Sequence, residues 1–356
     1  VSEIPRKEYV SALLREMELR RDTLPAEVTA STLYLGGGTP SLLEPALVAR
    51  IIEATGRLFA LEPDAEITLE ANPGTVTRIN LAAYRSIGVN RLSLGIQSFS
   101  DTMLRRLGRI HTVRDATDAY KAARDVGFSN IGIDLIHSLP GQNREMWRIE
   151  LDRAVAYRPE HISAYGLTIE AGTPFHAMEQ KGELTLPGEE EAAVIFEQTS
   201  EVLLNAGYEH YEISNFALPS FRSRHNQIYW KRADYLGFGA GAHSFLSYPP
   251  FGRRWKNPDK PEIYMQAIAK GVAPEEELSI LTEREAFSEK LFLGLRMLEG
   301  IDGDMFRQEC GVTLEEAFPS ALTKLLSDDL LERRHGRIRL SRRGLLLANQ
   351  VFARFV

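Results

Sequence analysis

Two residue periods alternate from about residue 6 to residue 166, and this alternation constrains the fold more than any single motif. The segment EYVSALLREMEL has apolar residues at helical spacing and precedes the strand-like TLYLG. The helical ALVARIIEATGRLF leads to the strand EITLEA, and INLAAYRSI leads to RLSLGIQ. ATDAYKAARDVG and NIGIDLIH form the next pair, and MWRIELDRAVAY and HISAYGL the last. Strands separated by helical stretches of about a dozen residues imply βαβ units and a parallel sheet. The chemically informative residues fall near the strand ends, at Gly36–Thr39, Glu70–Pro73, Gln97, Asp134 and Gly166. A parallel barrel or open sheet places its ligand site at that C-terminal edge.

The rhythm stops after residue 175. A helical EEEAAVIFEQTSEVLLNAG is followed by YEHYEISNFA, RHNQIYW and the glycine-rich YLGFGAGAHSFL. PPFGRRWKNPDKP reads as a turn-rich linker. From about residue 275, two helical segments, a strand pair around LERRHGRIRLS and a final helix RRGLLLANQVFARF predict a winged-helix-like unit, against the plainer reading of a helical cap. The expected division is therefore 1–175, 176–260 and 275–356, within an α/β chain.

Of 356 residues, 44% are hydrophobic and 26% charged, the balance of a soluble globular protein. A net charge of −7 argues against a nucleic-acid surface, so no nucleic-acid partner is expected. No apolar run is long enough for a membrane-spanning helix. Cys310 is the single cysteine, which excludes an internal disulfide framework and any multi-cysteine metal site, and suits a reducing, cytoplasmic setting.

The strand-end residues form a chemically coherent set. Gly36, Gly37 and Gly38 let the backbone approach a ligand closely, although a tight turn alone would also use them. The stretch is neither a P-loop nor a dinucleotide turn. Glu70 in EANPG is placed to pair with an amine or a ribose hydroxyl. Gln97 in GIQSF offers both a donor and an acceptor. Arg109 in LGRIH is a rigid fork suited to a carboxylate, and IDLIHSLPGQ supplies Asp134. Each has a bland reading as a turn cap or surface ion pair; together they describe a site for a zwitterionic nucleoside.

GGGTPSLL, EANPGT, GVNRLSLGIQSF, LGRIH and IDLIHSLPGQ together resemble the radical S-adenosylmethionine (SAM) proteins of the oxygen-independent coproporphyrinogen oxidase group. The resemblance runs from about residue 5 to the C-terminus. It implies a (β/α)6 barrel open on one side, here partial because five of its six strands are visible. It also implies that Gly37, Gly38 and Thr39 hold the methionine amine of SAM. Glu70, Gln97, Arg109 and Asp134 would hold its ribose and carboxylate, and Gly166 would lie against adenine. The family's CxxxCxxC loop, which carries a 4Fe–4S cluster after the first strand, has no counterpart here. VSEIPRKEYVSALL matches the segment just beyond that loop, and a start at Val1 in place of Met favours a missing first strand over a true loss. Cys310 cannot substitute, since one thiolate does not hold a cluster; the chain as it stands is expected to bind no cluster and form no radical.

RHNQIYW separates two subfamilies. It matches the HNxxYW signature of the HemW-type heme chaperones at His225, Asn226, Tyr229 and Trp230, and YEISNFA and GFGAGAHSF point the same way. An imidazole offers an iron ligand, and two aromatic rings offer flat faces to a macrocycle. The same residues could instead pack the core, with His225 satisfied by a hydrogen bond. His243 is a second candidate ligand. The resemblance implies a heme chaperone that delivers heme to heme-requiring membrane enzymes, with SAM and a cluster in support, and with a homodimer and peripheral membrane association among the expectations. Oxidative decarboxylation of coproporphyrinogen III is the enzymatic alternative, and a cluster-free nucleoside-binding scaffold the third.

Overall fold

In the computed structural model, residues 5–25 and 27–356 are described. The strands predicted from the alternating periods form β1 (Ala30–Leu35), β2 (Leu61–Ala71), β3 (Arg91–Gln97), β4 (Ile131–His137) and β5 (His161–Gly166). They lie in one sheet in chain order, and β2 to β5 pair in parallel. The stretch beyond residue 175 adds a hairpin, β6 (Glu209–Glu212) and β7 (Asn215–Ala217), with β7 antiparallel to β5. The sheet order is thus β1-β2-β3-β4-β5-β7-β6. Asp134 sits inside β4, three residues before its end, and not at the strand terminus as the sequence suggested.

Two compact units divide the chain and interleave along it. One comprises Val1–Tyr34, Leu43–Glu66 and Ser223–Val356; the other comprises Leu35–Leu42 and Ile67–Arg222.

In the first unit, helix Pro45–Phe59 buries Leu47, Val48, Ile51, Ala54, Thr55 and Phe59, a single stripe at three- and four-residue spacing. Proline occupies its first turn, where the missing N–H costs nothing. Ala54 and Phe59 pack with Met17 of helix Arg6–Arg21. That helix is anchored by Glu16, which is fully buried. Its carboxylate accepts the Gly239 N–H at 2.9 Å, the Asn257 amide at 2.7 Å and the Tyr264 hydroxyl at 2.7 Å. A second sheet holds β8 (His243–Leu246), β9 (Arg253–Lys256) and β10 (Glu276–Ile280) in the order β10-β9-β8. Sequence periodicity did not show it, because its strands are short and flanked by glycines.

Toward the C-terminus, β11 (Ile301–Asp302), β13 (Arg337–Leu340) and β12 (Leu331–Arg334) form a three-stranded antiparallel sheet. It accompanies helices Glu283–Gly294, Gly303–Cys310 and Pro319–Ser327. The predicted strand pair therefore gains a third strand. His335 and Gly336, with φ of 49° and 76°, form the two-residue turn between β12 and β13, the mirror-image turn that matches strand twist.

In the second unit three of the helices between strands are begun by side chains. Thr77 and Thr112 each form a reciprocal capping box, with Asn80 and Asp115, at helices Arg78–Ser86 and Val113–Asp125. Asn143 caps Arg144–Tyr157. Their apolar faces cover a sheet whose core includes Leu69, Leu92, Leu94, Ile131, Ile133 and Ile162, all fully buried.

Candidate functional site

The second unit contains all eight residues predicted to hold a nucleoside. Gly37 and Gly38, just past β1, have φ of +79° and +66°, and nothing lies within 4 Å of where a Cβ would stand on either. Glycine is needed here for conformation, and the exposed loop leaves its backbone free to meet a ligand. The Gly37 N–H donates to Glu70 Oε2 at 3.2 Å, so one carboxylate already orients the loop. The following Thr-Pro-Ser is an anchor: Ser41 Oγ lies 2.6 Å from Thr75 Oγ1 and accepts the Asn72 N–H at 3.3 Å. This ties GGGTPS to EANPGT. The sequence singled out both motifs but gave no sign that they bind each other.

Asp134 accepts hydrogen bonds from Ser93 Oγ at 3.2 and 3.1 Å and is also bonded by Ser163. Desolvation raises its pKa above the ordinary aspartate value. The serine hydrogen bonds oppose the rise, the charge of Glu70 adds to it, and Arg91 lowers it. Ser93 and Ser163 were missed from sequence; their only signal is that they lie on neighbouring strands in register with Glu70 and Asp134 respectively. Gln97 is buried at the end of β3 with φ of 68°, a left-handed conformation that a non-glycine residue adopts at a cost. Arg109 is half-buried in the loop after helix Asp101–Arg106. It has no hydrogen bond or ion pair among the described residues. Burial pulls its pKa down, partly offset by Asp134. A desolvated guanidinium without a partner is suited to an incoming carboxylate. Gly166 ends β5 beside His137, whose Cε1 would stand 3.2 Å from a Cβ at that position. Bare backbone, carboxylate acceptors, an amide and an unpaired guanidinium fit the amine, hydroxyls and carboxylate of SAM.

A 4Fe–4S cluster does not fit the residues of this chain. Cys310 lies at the end of helix Gly303–Cys310, where burial pushes its thiol pKa up. Among the described residues no group of three or more histidine, cysteine, aspartate or glutamate side chains could hold a metal ion.

The first unit holds the other predicted set. RHNQIYW forms a seven-residue helix, Arg224–Trp230. Its N-terminus is fixed by Ser223 Oγ, which accepts the Asn226 N–H at 3.2 Å, and by Glu66, which accepts the N–H groups of Arg224 and His225 at 3.1 and 3.0 Å. His225 is hydrogen-bonded at both ring nitrogens, Nδ1 to Thr32 Oγ1 and Nε2 to the Tyr229 hydroxyl, each at 2.8 Å. Its ring stacks on Tyr34 at 4.8 Å between centroids. Tyr229 meets Tyr235 edge-on at 4.7 Å, and the Arg296 guanidinium lies 4.3 Å over the Trp230 ring. Asn226 makes its cap through backbone alone. His225 is thus satisfied by hydrogen bonds, although no residue of this helix is buried, and iron ligation by its imidazole would require one of those bonds to be released. His243 is exposed at the start of β8, and no described residue hydrogen-bonds its side chain. Glu66, Thr32 and Tyr34, which hold His225, were not legible from sequence.

Residues 6–154 match the radical SAM superfamily, and residues 281–347 match the HemN C-terminal domain. The heme chaperone HemW of Bacillus subtilis (strain 168) is 34% identical over 353 residues, spanning 99% of this chain and 92% of that protein. The heme chaperone HemW of Escherichia coli (strain K12) is 40% identical over 248 residues, 69% of this chain and 64% of that protein. The mitochondrial radical S-adenosyl methionine domain-containing protein 1 of Bos taurus is 34% identical over 358 residues, 98% of this chain and 81% of that protein. Among solved structures, coproporphyrinogen III oxidase (HemN) from Escherichia coli superposes with a TM-score of 0.82 at 24% identity, covering 98% of this chain and 83% of that one. At that identity the likeness shows the fold.

Proposed function

The chain belongs to the family of the heme chaperone HemW, within the radical SAM superfamily, and from that premise we propose that it binds heme at the HNQIYW helix and delivers it to heme-requiring membrane enzymes. The observation that carries this reading is similarity to heme chaperones over nearly the whole chain. The helix offers chemistry that suits the task. An imidazole, an Asn226 amide with no hydrogen bond among the described residues, and the rings of Tyr229 and Trp230 stand within seven residues, and none of them is fully buried. Such partly exposed aromatic groups can take up a flat apolar macrocycle and release it again. Cytoplasmic residence fits this role, and no described helix is long and apolar enough to cross a membrane. Homodimerisation and peripheral membrane association belong to the same proposal.

SAM is the proposed ligand of the second unit. Gly37, Gly38 and Thr39 would receive the methionine amine; Glu70, Gln97 and Asp134 the ribose; Arg109 the carboxylate; and Gly166 the adenine face. The protein's own part is to orient the nucleoside and hold its charges.

Hemin titration followed by the Soret band tests the reading. His225→Ala is expected to weaken binding and shift the band, while leaving residual affinity from Tyr229 and Trp230. Wild-type spectrum and affinity in that variant would move the ligand role to His243. Anaerobic assay with coproporphyrinogen III, SAM and reductant is expected to show no decarboxylation. Turnover at enzymatic rates would replace the chaperone reading with the enzymatic one.

A further inference from the structure

One face of the parallel sheet in the second unit carries two tiers of polar side chains. Register places Thr68 beside Arg91 and Glu70 beside Ser93, then Gly132 beside His161 and Asp134 beside Ser163. Residues two apart on a strand share a face. Between β3 and β4 the register sets Ser93 against Gly132, so the tiers follow side-chain contact: Ser93 Oγ reaches on to Asp134, joining Glu70, Ser93, Asp134 and Ser163 at the nucleoside site, while Thr68, Arg91 and His161 gather at Gly132 behind them.

Arg91 is 2% exposed. Its Nη1 donates to Thr68 Oγ1 at 3.5 Å, its Nε has no hydrogen-bond partner, and no described carboxylate lies within ion-pairing distance. The guanidinium crosses β4 where there is no side chain: a Cβ on Gly132 would stand 3.5 Å from both Arg91 Nη2 and His161 Nδ1. A glycine inside a strand marks such a close approach. His161 cannot offset the charge. It is buried, Nε2 lies 2.8 Å from the Tyr211 hydroxyl, and burial together with Arg91 holds its pKa well below the usual histidine value, so it stays neutral. A buried cation without a counter-ion costs several kcal/mol unless other charges offset it. The carboxylates of this face are Glu70 on β2 and Asp134 on β4.

We propose that Arg91, itself out of a ligand's reach, is a positioning residue that keeps Asp134 charged so that its carboxylate can accept the hydroxyls of a bound nucleoside. This rests on the nucleoside-binding reading of the site. The groups facing Asp134 are Glu70 on β2, Arg91 and Ser93 on β3, Arg109 beyond β3, and Ser163 and Tyr165 on β5. Tyr165 is 42% exposed as a residue, but desolvation of its phenol pushes it up to about 12 and it stays neutral. Arg109 is nearer solvent and would turn to the ligand's own carboxylate. Arg91 is thus the fixed cation that opposes burial and the charge of Glu70. A charged Asp134 accepts with both oxygens; a protonated one gives up part of that capacity.

Calorimetric titration with S-adenosylhomocysteine from pH 4 to 9 tests the proposal on wild type, Arg91→Met, Arg91→Lys and Asp134→Asn. Affinity should fall with pH as Asp134 takes up a proton. In Arg91→Met the midpoint should move up by about one unit or more, with affinity returning toward wild type at high pH. Arg91→Lys should restore much of the wild-type midpoint, and Asp134→Asn should flatten the profile. A wild-type midpoint in Arg91→Met overturns the proposal, whatever its overall affinity. Wild type that binds at no pH removes the nucleoside reading and this inference with it. Thermal unfolding without ligand gives a second readout. If Arg91→Met is too unstable to titrate, Arg91→Met with Asp134→Asn should regain stability, because both opposed charges are gone. A double variant no more stable than Arg91→Met overturns the coupling.

Discussion

At the scale of single residues, the sequence points to candidate ligand-facing groups more readily than to the groups that hold them. The eight candidate nucleoside positions stand out because glycine, carboxylate, amide and guanidinium recur close to successive strands, although Asp134 lies inside β4 and Arg109 beyond a helix. Ser93, Ser163 and Arg91 do not, since a serine or arginine within a strand looks the same whether it faces helix, solvent or an interior carboxylate. His225 shows the limit from the other side. Its residue type suggested an iron ligand, and the structure finds both nitrogens occupied, Nδ1 by Thr32 and Nε2 by Tyr229. Thr32 is 193 residues away in sequence, whereas Tyr229 is one helical turn away. The local Tyr229 bond therefore competes most directly with iron. Tyr229→Phe keeps the aromatic face and removes that competitor. A typical hydrogen bond is worth about 1 kcal/mol net, so if Nε2 ligates iron, hemin affinity should rise roughly fivefold. A fall in affinity measured by Soret titration would mean that the hydroxyl itself contacts heme.

At the scale of elements, the βα rhythm was readable because each helix carries its own apolar stripe and most carry their own cap. Helix Arg224–Trp230 was not readable as a helix. Seven residues are too few to be stable on propensity alone, and the stabilising group is Glu66, 158 residues from Arg224. Glu66 is buried, and its carboxylate takes the first two helical N–H groups. Those groups lack intrahelical partners, and a carboxylate there also complements the positive end of the helix dipole. Glu66→Ala should leave both donors unsatisfied and destabilise the helix by about 1–2 kcal/mol. Amide hydrogen exchange across residues 224–230 should then quicken well beyond any change in helix Pro45–Phe59 of the same unit. Equal change in both helices would mean that Glu66 supports the unit as a whole and not the motif in particular.

At the scale of the whole molecule, burial of neutral histidines sets a dependence on pH that no motif displays. His137 and His210 are each pushed down to about 4 by burial, and His161 lies well below the usual value. An unfolded chain protonates these rings near pH 6.5, while the folded chain holds His137 and His210 neutral down to about 4. The unfolded state therefore binds more protons between those limits, and their contribution to stability is complete above pH 6.5 and lost as pH falls toward 4. Raised carboxylates act in the opposite sense: Glu16, Asp134 and Glu150 take up protons more readily folded than unfolded, so their burial becomes less costly as pH falls. Because the two groups oppose each other, the histidine contribution is isolated by difference. His210 suits this comparison: it stacks on Phe216 at 4.1 Å, bonds Ser200 and the Ile213 carbonyl, and lies outside both candidate sites. His210→Gln keeps hydrogen-bonding capacity and removes the titration. Its stability deficit relative to wild type, measured by denaturant unfolding, should be largest at pH 7.5 and shrink by up to about 3 kcal/mol as pH approaches 4. A deficit constant across that range would mean that His210 titrates alike in folded and unfolded chains, and that acid sensitivity has its source elsewhere.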